Sequence, residues 1–170
     1  MLLSPKLDQS SPLLHEEKGN ELFPVFVKLN SLRTLLIGGG NVGLEKLGAI
    51  LNNSRNADVT LVAESIHPEI EQLAIDFPSL KIKQKSFEAD DLKDIDIVFA
   101  ATNDNSLNET IRLVAHQKGL LINVADKPEL CDFYLGSIVK KGDLKIAIST
   151  NGKSPTIAKR LKEILNEGIP

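Results

Sequence analysis

Up to residue 124, short apolar runs alternate with amphipathic segments. The runs typical of strands are residues 35–37, 58–62, 80–85, 95–101 and 120–124. In the segments that follow residues 43, 67 and 105, apolar residues recur at helical spacing, which is typical of helices with one buried face. The order β-α-β-α-β-β-α-β predicts an open α/β fold with a mostly parallel sheet.

The pattern changes after residue 128. Residues 133–139 and 144–150 are both strand-like and are joined by Lys-Lys-Gly-Asp, which predicts an antiparallel β-hairpin. A final helix is expected to begin with Ser154 as its N-cap and Pro155 at its first position. Its apolar face consists of Ile157, Leu161, Ile164 and Leu165. Because a hairpin and one helix bury little surface, we expect this segment to dock on the main domain or on a second copy of the chain.

Three parts are expected along the chain. Residues 1–21 are broken by serine, proline and charge, so we expect a mobile lead-in rather than a secretory signal, and assign it no function. Residues 22–127 form the main domain, which opens with a short extended segment at 22–29. Residues 128–170 form the small α+β segment. No apolar run approaches the roughly 20 residues that span a bilayer, so no membrane partner is expected.

Composition narrows the function only slightly. A net charge of −3 argues against general nucleic-acid binding through a basic surface. The single cysteine, Cys131, excludes an internal disulfide framework and indicates a reducing, cytoplasmic compartment. No local motif supports Cys131 as a nucleophile. The three histidines, His15, His67 and His116, have no cysteine partners at ligand spacing, so no metal site is expected.

A glycine motif follows the first strand directly. Gly38-x-Gly40-x-x-Gly43 lies between that strand and a helical pattern, which is the arrangement of a Rossmann-type dinucleotide site. Gly38 permits a tight turn, Gly40 lets a pyrophosphate approach the backbone, and Gly43 lets the helix lie close to the sheet. The alternative is a glycine turn with a structural role alone; the strand before it and the helix after it favour the nucleotide site.

Polar residues follow the later strands where ligands bind in such sheets. Glu64 ends the second strand, where an acidic residue would bind the ribose hydroxyls and favour NAD over NADP; the alternative is a solvated loop glutamate. Thr102 opens the polar stretch 102–105, which fits a ligand crevice and a helix cap equally well, with Asn105 or Ser106 as the cap. Asp126 projects at the same edge as the glycine loop, as either a site carboxylate or a turn residue.

Taken in order, four stretches make the chain similar to the siroheme synthase N-terminal family. This family comprises precorrin-2 dehydrogenases, some of which are also sirohydrochlorin ferrochelatases. The stretches are LFPVF at 22–26, GGGNV at 38–42 with Lys46, AATND at 100–104 followed by NVAD at 123–126, and STNGKSP at 149–155. The resemblance runs from residue 22 to residue 165. It implies NAD-dependent oxidation of precorrin-2 to sirohydrochlorin by a homodimer, with 128–170 as the dimerisation and substrate segment.

The resemblance also implies roles for individual residues. Asp126 would be the catalytic general base and, in bifunctional members, would also serve metal insertion. Further contacts implied for the cofactor come from Asn41 and Val42 at the pyrophosphate, Glu64 and Ser65 at the ribose or adenosine, and Thr102 on the nicotinamide side. The substrate carries many carboxylates, and the basic candidates to bind them are Lys127, Lys153 and Arg160.

The chain departs from the family pattern in two places. Family members usually continue past the last helix, whereas this chain ends at Pro170, which is expected to reflect a short member or a truncated one. Asn151-Gly152-Lys153 replaces the more usual Gly-Gly-x. The competing hypothesis is an NAD-binding regulatory module, which would use the same glycine loop without a catalytic aspartate or a tetrapyrrole site.

Overall fold

A computed structural model describes residues 19–169 of the chain. Most of the expected lead-in, residues 1–18, lies outside the described residues. The extended segment expected at 22–29 pairs with neither sheet, and Leu29–Ser31 forms a 3₁₀ turn instead. Pro24 lacks the N–H group that a sheet ladder requires, which disfavours a strand at this position.

Five parallel strands form the main sheet, as predicted, in the order β3-β2-β1-β4-β5. The strands are β1 Arg33–Ile37, β2 Asp58–Ala63, β3 Leu80–Gln84, β4 Ile97–Ala100 and β5 Leu121–Val124. The helices between them are α1 Asn41–Asn53, α2 Pro68–Asp76 and α3 Asn105–Gln117. The chain moves outward from β1 through β2 to β3 and then crosses to β4. This change of direction leaves a crevice at the carboxyl ends of β1 and β4, where ligands bind in open α/β sheets.

Helices cover both faces of the sheet. Because side chains on either face of a strand are then buried, the strands are continuous apolar runs in the sequence. Leu36 packs with Leu47 of α1 on one face, whereas Leu35 and Ile37 pack with Ile111 of α3 on the other. All five side chains are buried. Each contributes about 1.5–3 kcal/mol relative to an exposed position, so these contacts help to stabilise the domain.

The ends of α3 differ in part from the prediction. Asp104, and not Asn105 or Ser106, is the N-cap: its Oδ1 accepts hydrogen bonds from the N–H groups of Ser106 at 2.9 Å and Leu107 at 3.1 Å. Asp104 has extended backbone angles, whereas Asn105 is already helical, so only Asp104 can reach back over the first turn. Gly119 follows the helix with φ of +70°, as expected for a helix C-terminal glycine.

The second sheet is the predicted antiparallel hairpin, with β6 Ser137–Lys141 and β7 Leu144–Ile148. The strand begins at residue 137 and not at 133, because Phe133 packs edge-on against Phe99 of the main sheet at 5.4 Å between ring centroids. The last helix, α4 Pro155–Gly168, packs on the hairpin and is capped by Ser154 as predicted, with its Oγ accepting from the Ile157 N–H. Within residues 19–169, no helix is long and apolar enough to cross a membrane.

Candidate functional site: a cleft at the glycine loop

A cleft of about 590 Å³ opens at the carboxyl edge of the main sheet. Its walls come from the glycine loop after β1, the ends of β2 and β3, and the turn after β4. Of the residues predicted to bind the cofactor, those that line this cleft are Gly38, Gly40, Glu64, Ser65 and Thr102. Elements that are distant in sequence therefore meet where the topology predicts a ligand.

Packing explains why two of the predicted glycines cannot be replaced. Gly38 has φ of +116°, and a Cβ added there would lie 2.2 Å from the Ala101 carbonyl oxygen. At Gly43, a Cβ would lie 2.1 Å from the Gly38 carbonyl oxygen, so the helix approaches the strand as closely as expected. Gly40 differs, because a Cβ there would meet no atom within 4 Å. The space where a Gly40 side chain would lie is open, which leaves room for a ligand against the backbone.

The start of α1 fits an anionic group. Gly40 is the N-cap residue, and no side chain caps the helix. The N–H groups of the first turn, and the positive end of the helix dipole, are therefore left for a ligand such as a pyrophosphate. This first turn contains the other predicted cofactor residues, which lie beside the cleft lining and not within it: Asn41, Val42 and Gly43.

Gly39, which the sequence motif treats as a variable position, is equally constrained. A Cβ at Gly39 would lie 2.3 Å from the Ser65 carbonyl oxygen, and the Gly39 carbonyl accepts a hydrogen bond from the His67 N–H at 2.8 Å. These contacts fix the glycine loop to the loop after β2. The run of three consecutive glycines, with Gly39 in the middle, was the available signal for this close approach.

Glu64 lies in the wall of the cleft at the end of β2. Its Oε1 accepts a hydrogen bond from the Ser86 hydroxyl, and its backbone carbonyl accepts one from the Gln84 side chain at 3.1 Å. It takes part in none of the ion pairs found among the described residues. The carboxylate keeps acceptor capacity for two ribose hydroxyls, and its ribose role stays a prediction.

The loop after β3 adds residues that the sequence reading missed: Lys85, Ser86 and Phe87. Lys85 Nζ pairs with Asp91 Oδ2 and Glu88 Oε2, each at 2.8 Å, and the hydrogen bonds that it donates to Asp91 and then to Glu88 raise the pKa of Lys85. Burial acts to raise the pKa of Asp91, but the hydrogen bonds that it accepts, first that from Lys85, lower it. Because β3 is parallel to β2, its carboxyl end lies at the same edge of the sheet. The sheet topology alone could therefore have predicted that the loop after β3 contributes to the cleft.

Thr102 is held in the cleft by a buried asparagine. The Thr102 hydroxyl donates to Asn108 Oδ1 at 2.8 Å, and Asn108 Nδ2 donates to the Thr102 carbonyl at 3.0 Å. Asn108 is 2% exposed, and these hydrogen bonds give its buried side-chain oxygen and nitrogen a partner each. The turn after β4 is therefore both a helix cap, through Asp104, and part of the cleft wall. Asn108 is a polar residue on the core-facing side of α3, and this position was the sequence signal for its structural role.

Asp126 lies at the carboxyl end of β5, on the same sheet edge, but does not line the cleft. Its side chain is exposed, and its φ of +59° places it in the left-handed region that non-glycine residues rarely adopt. The N–H of Ala125, the residue just before it, donates a hydrogen bond to the Ala100 carbonyl oxygen at 2.8 Å. Asp126 therefore comes directly after a residue that is bonded to the end of β4. Aspartate adopts this region more readily than most residues, so the backbone fits a turn aspartate as well as a site carboxylate.

None of the basic candidates for the substrate lines the cofactor cleft: Lys127, Lys153 and Arg160. Lys153 and Arg160 are exposed, and Arg160 pairs with Glu163 at 3.4 Å. Cys131 is structural: burial raises the pKa of its thiol, which donates to the Val124 carbonyl at 3.1 Å. Across residues 19–169, no three acidic, histidine or cysteine side chains come close enough to hold a metal.

Comparisons with known proteins agree with this geometry. A family profile described as putative NAD(P)-binding matches residues 25–137, and one described as sirohaem biosynthesis protein central matches residues 141–167. A siroheme synthase from Methylococcus capsulatus is 36% identical over 150 residues, which cover 88% of this chain and 31% of that protein. One from Psychrobacter cryohalolentis is 37% identical over 148 residues, or 87% of this chain and 28% of that protein.

A solved structure described as SirC, precorrin-2 dehydrogenase, superposes with a TM-score of 0.74 at 28% identity, covering 88% of this chain and 72% of that one. The chain spans about a third of the length of the siroheme synthases that it matches. The predicted Rossmann-type fold with a hairpin and a final helix is confirmed. The chain belongs to the putative NAD(P)-binding family, and the sirohaem segment that follows confirms its resemblance to the siroheme synthase N-terminal family.

Proposed function

We propose that this chain oxidises precorrin-2 to sirohydrochlorin, with NAD as the oxidant, in siroheme biosynthesis. One observation carries the proposal: a single chain joins an NAD(P)-binding match over residues 25–137 to a sirohaem biosynthesis match over residues 141–167. A regulatory NAD-binding module needs only the first of these, so the second favours the dehydrogenase. The structural similarity to a precorrin-2 dehydrogenase supports the same reading.

The cleft at the glycine loop would hold the cofactor. Gly40 and the uncapped start of α1 offer backbone N–H groups to the pyrophosphate, and Glu64 would accept hydrogen bonds from the ribose hydroxyls. The Glu64 carboxylate would repel a 2′-phosphate at that position. Lys85, which lines the same cleft and could attract such a phosphate, is already paired with Asp91 and Glu88. This arrangement favours NAD over NADP.

NAD held in the cleft would supply the oxidation by taking up a hydride from the substrate, which would also lose one proton, so the reaction balances as NADH plus H⁺. Asp126 is the proposed general base for that proton. It is exposed at the carboxyl end of β5, beside the end of β4, whose following turn carries Thr102 into the cleft. A well-placed base contributes typically about 10²–10⁴-fold in rate. Lys127, Lys153 and Arg160 remain the proposed partners of the substrate carboxylates.

We further propose that the chain works as a homodimer through residues 128–170, with residues 22–127 as its cofactor domain. The apolar face of α4 supports this: Ile157, Leu161 and Ile164 are 55%, 42% and 50% exposed. Phe23 and Phe26, in the segment before β1, are 86% and 68% exposed. The three α4 side chains lie on one face of that helix, and exposed apolar side chains grouped in this way are typical of an interface.

The test is to supply precorrin-2 and NAD to the folded protein and to follow NADH formation. NADH should accumulate in proportion to the enzyme added, and only when both reactants are present. If no NADH forms above background although the protein binds NAD, the dehydrogenase proposal fails and the regulatory module becomes the better reading. A separate iron- or cobalt-insertion assay without NAD determines whether the chain is also a ferrochelatase. We place the reaction in the cytoplasm, in keeping with the single cysteine.

A further inference from the structure

A second cleft, of about 490 Å³, lies where the main domain meets the C-terminal segment. Its walls come from α1, from β6 with the residues just before it, and from α4. It shares no lining residue with the cofactor cleft. Its α1 residues, which begin at Glu45, lie beyond the first turn that faces the glycine loop. Junctions between structural units are preferred locations for small-molecule sites.

The charged residues of this second cleft are three lysines and one glutamate: Lys46, Lys140, Lys162 and Glu45. The lysines come from three different elements, so the fold and not a local charge run brings them together. Lys140 and Lys162 take part in no ion pair found within residues 19–169. The chain as a whole has a net charge of −3, so this concentration of positive charge is a local exception.

Lys46 has the most unusual environment of the three. Its side chain is 18% exposed, although lysine side chains are normally solvated. Among residues 19–169, its ammonium pairs only with the neighbouring Glu45, at 3.3 Å, and that glutamate is 74% exposed. Lys46 also belongs to the sequence stretch that resembles the siroheme synthase N-terminal family, and neither the cofactor cleft nor the proposed catalysis gives it a role.

We propose that this lysine cleft binds a small multivalent oxyanion, either a polycarboxylate or a polyphosphate, independently of the cofactor. Three ammonium groups around one cavity repel one another until an anion neutralises them. Asn52 and Ser137 line the same cavity, and their amide and hydroxyl groups can donate hydrogen bonds to further oxygens. Because the cleft joins α1 to β6 and α4, a bound anion links the cofactor domain to the C-terminal segment.

The test is calorimetric titration of the full chain, saturated with NADH, with citrate in one arm and tripolyphosphate in the other. NADH occupies the glycine loop, so binding of either anion reports on another site. The triple variant Lys46→Gln, Lys140→Gln, Lys162→Gln should bind the preferred anion at least about tenfold more weakly. A matched triple variant of exposed lysines outside the cleft, Lys93→Gln, Lys118→Gln, Lys159→Gln, should stay within about twofold of wild type.

Two single variants keep the test valid if the triple variant does not fold. Lys162→Gln, at an exposed position on α4, should weaken binding, and Glu45→Gln should strengthen it, because the only carboxylate in the cavity is removed. The proposal is overturned if wild type binds neither anion, if both triple variants lose affinity equally, or if Glu45→Gln has no effect. No substrate is present in these titrations, so failure of the dehydrogenase proposal would not affect their outcome.

Discussion

The main sheet buries the apolar side chains of its strands almost completely, whereas α4 leaves most of its apolar face in solvent. Leu35 and Leu36 of β1 are fully buried, and Ile157 and Ile164 of α4 are about half exposed. Ala158 is the one buried residue of α4. The first region therefore has a closed apolar core, and the C-terminal segment has apolar surface left for another molecule. We infer that cofactor binding depends on the first region and that the partner and the substrate depend on the second.

The largest effect is expected in the first region, at Gly38. Gly38→Ala introduces a Cβ that would lie 2.2 Å from the Ala101 carbonyl at a φ of +116°. It should lower the free energy of unfolding by roughly 2–4 kcal/mol and abolish cofactor binding. Urea unfolding and NADH fluorescence titration measure the two effects.

Gly40→Ala is the matched control, because its Cβ would meet no protein atom within 4 Å. Its unfolding midpoint should remain close to that of wild type, while NADH binding weakens because the methyl group occupies the path to the backbone. Equal destabilisation by both variants would contradict the described packing of the loop.

The next effect is expected in the second region, on the apolar face of α4. Leu161→Glu places a charge in the proposed dimer interface and should weaken dimerisation by about 2 kcal/mol or more, which is roughly thirtyfold. Sedimentation velocity over a concentration series measures this change. Asn166→Glu, at another exposed position of the same helix, should leave dimerisation unchanged. A wild-type chain that is monomeric at all concentrations would contradict the proposed homodimer.

A smaller effect is expected at Glu64, in the wall of the cofactor cleft. Glu64→Gln should shift the ratio of NADP to NAD affinity by about tenfold toward NADP, because the carboxylate that repels a 2′-phosphate is removed. Ser86→Ala, which removes the hydrogen bond to that carboxylate, should change the ratio less. Both affinities can be measured by calorimetry. An unchanged ratio in Glu64→Gln would place the ribose elsewhere.

The smallest effect concerns acid stability in the main domain. Hydrogen bonds from the Arg33 guanidinium and backbone N–H hold the pKa of Asp96 well below its usual range. Since the folded-state pKa is depressed, this interaction stabilises the protein above the usual aspartate pKa of about 3.9 and is lost as the pH falls below it. Asp96→Asn should reduce stability at neutral pH and flatten its decline in acid, measured as urea midpoints over a pH series. Arg160→Gln, which breaks an exposed pair within α4, should leave that pH dependence unchanged.

Most of the fold was predictable from local patterns in the sequence. Apolar periodicity predicted all five strands of the main sheet, and the glycine motif predicted the close contact between Gly43 and the first strand. The errors arose where tertiary contacts decide a boundary. Phe133 leaves the expected hairpin strand to pack on Phe99, and Asp104 replaces its neighbours as the cap of α3.

The candidate site was predictable only for residues that directly follow the central strands. Glu64 and Thr102 line the cleft as the sheet topology predicts. Lys85 and Asn108 were missed, because their roles depend on which strands are neighbours and on one buried hydrogen-bond pair. The lysine cleft joins residues 46, 140 and 162, which no local motif connects.

The separation of cofactor binding from catalysis is tested most directly at Asp126. Asp126→Asn keeps the size of the side chain and suits the φ of +59°, since asparagine tolerates the left-handed region. NAD affinity and NADH formation from precorrin-2 should be measured on the same preparation. We predict that affinity stays within about twofold of wild type while turnover falls by about 10²–10⁴-fold. Unchanged turnover, or a loss of NAD binding equal to the loss of turnover, would contradict the account.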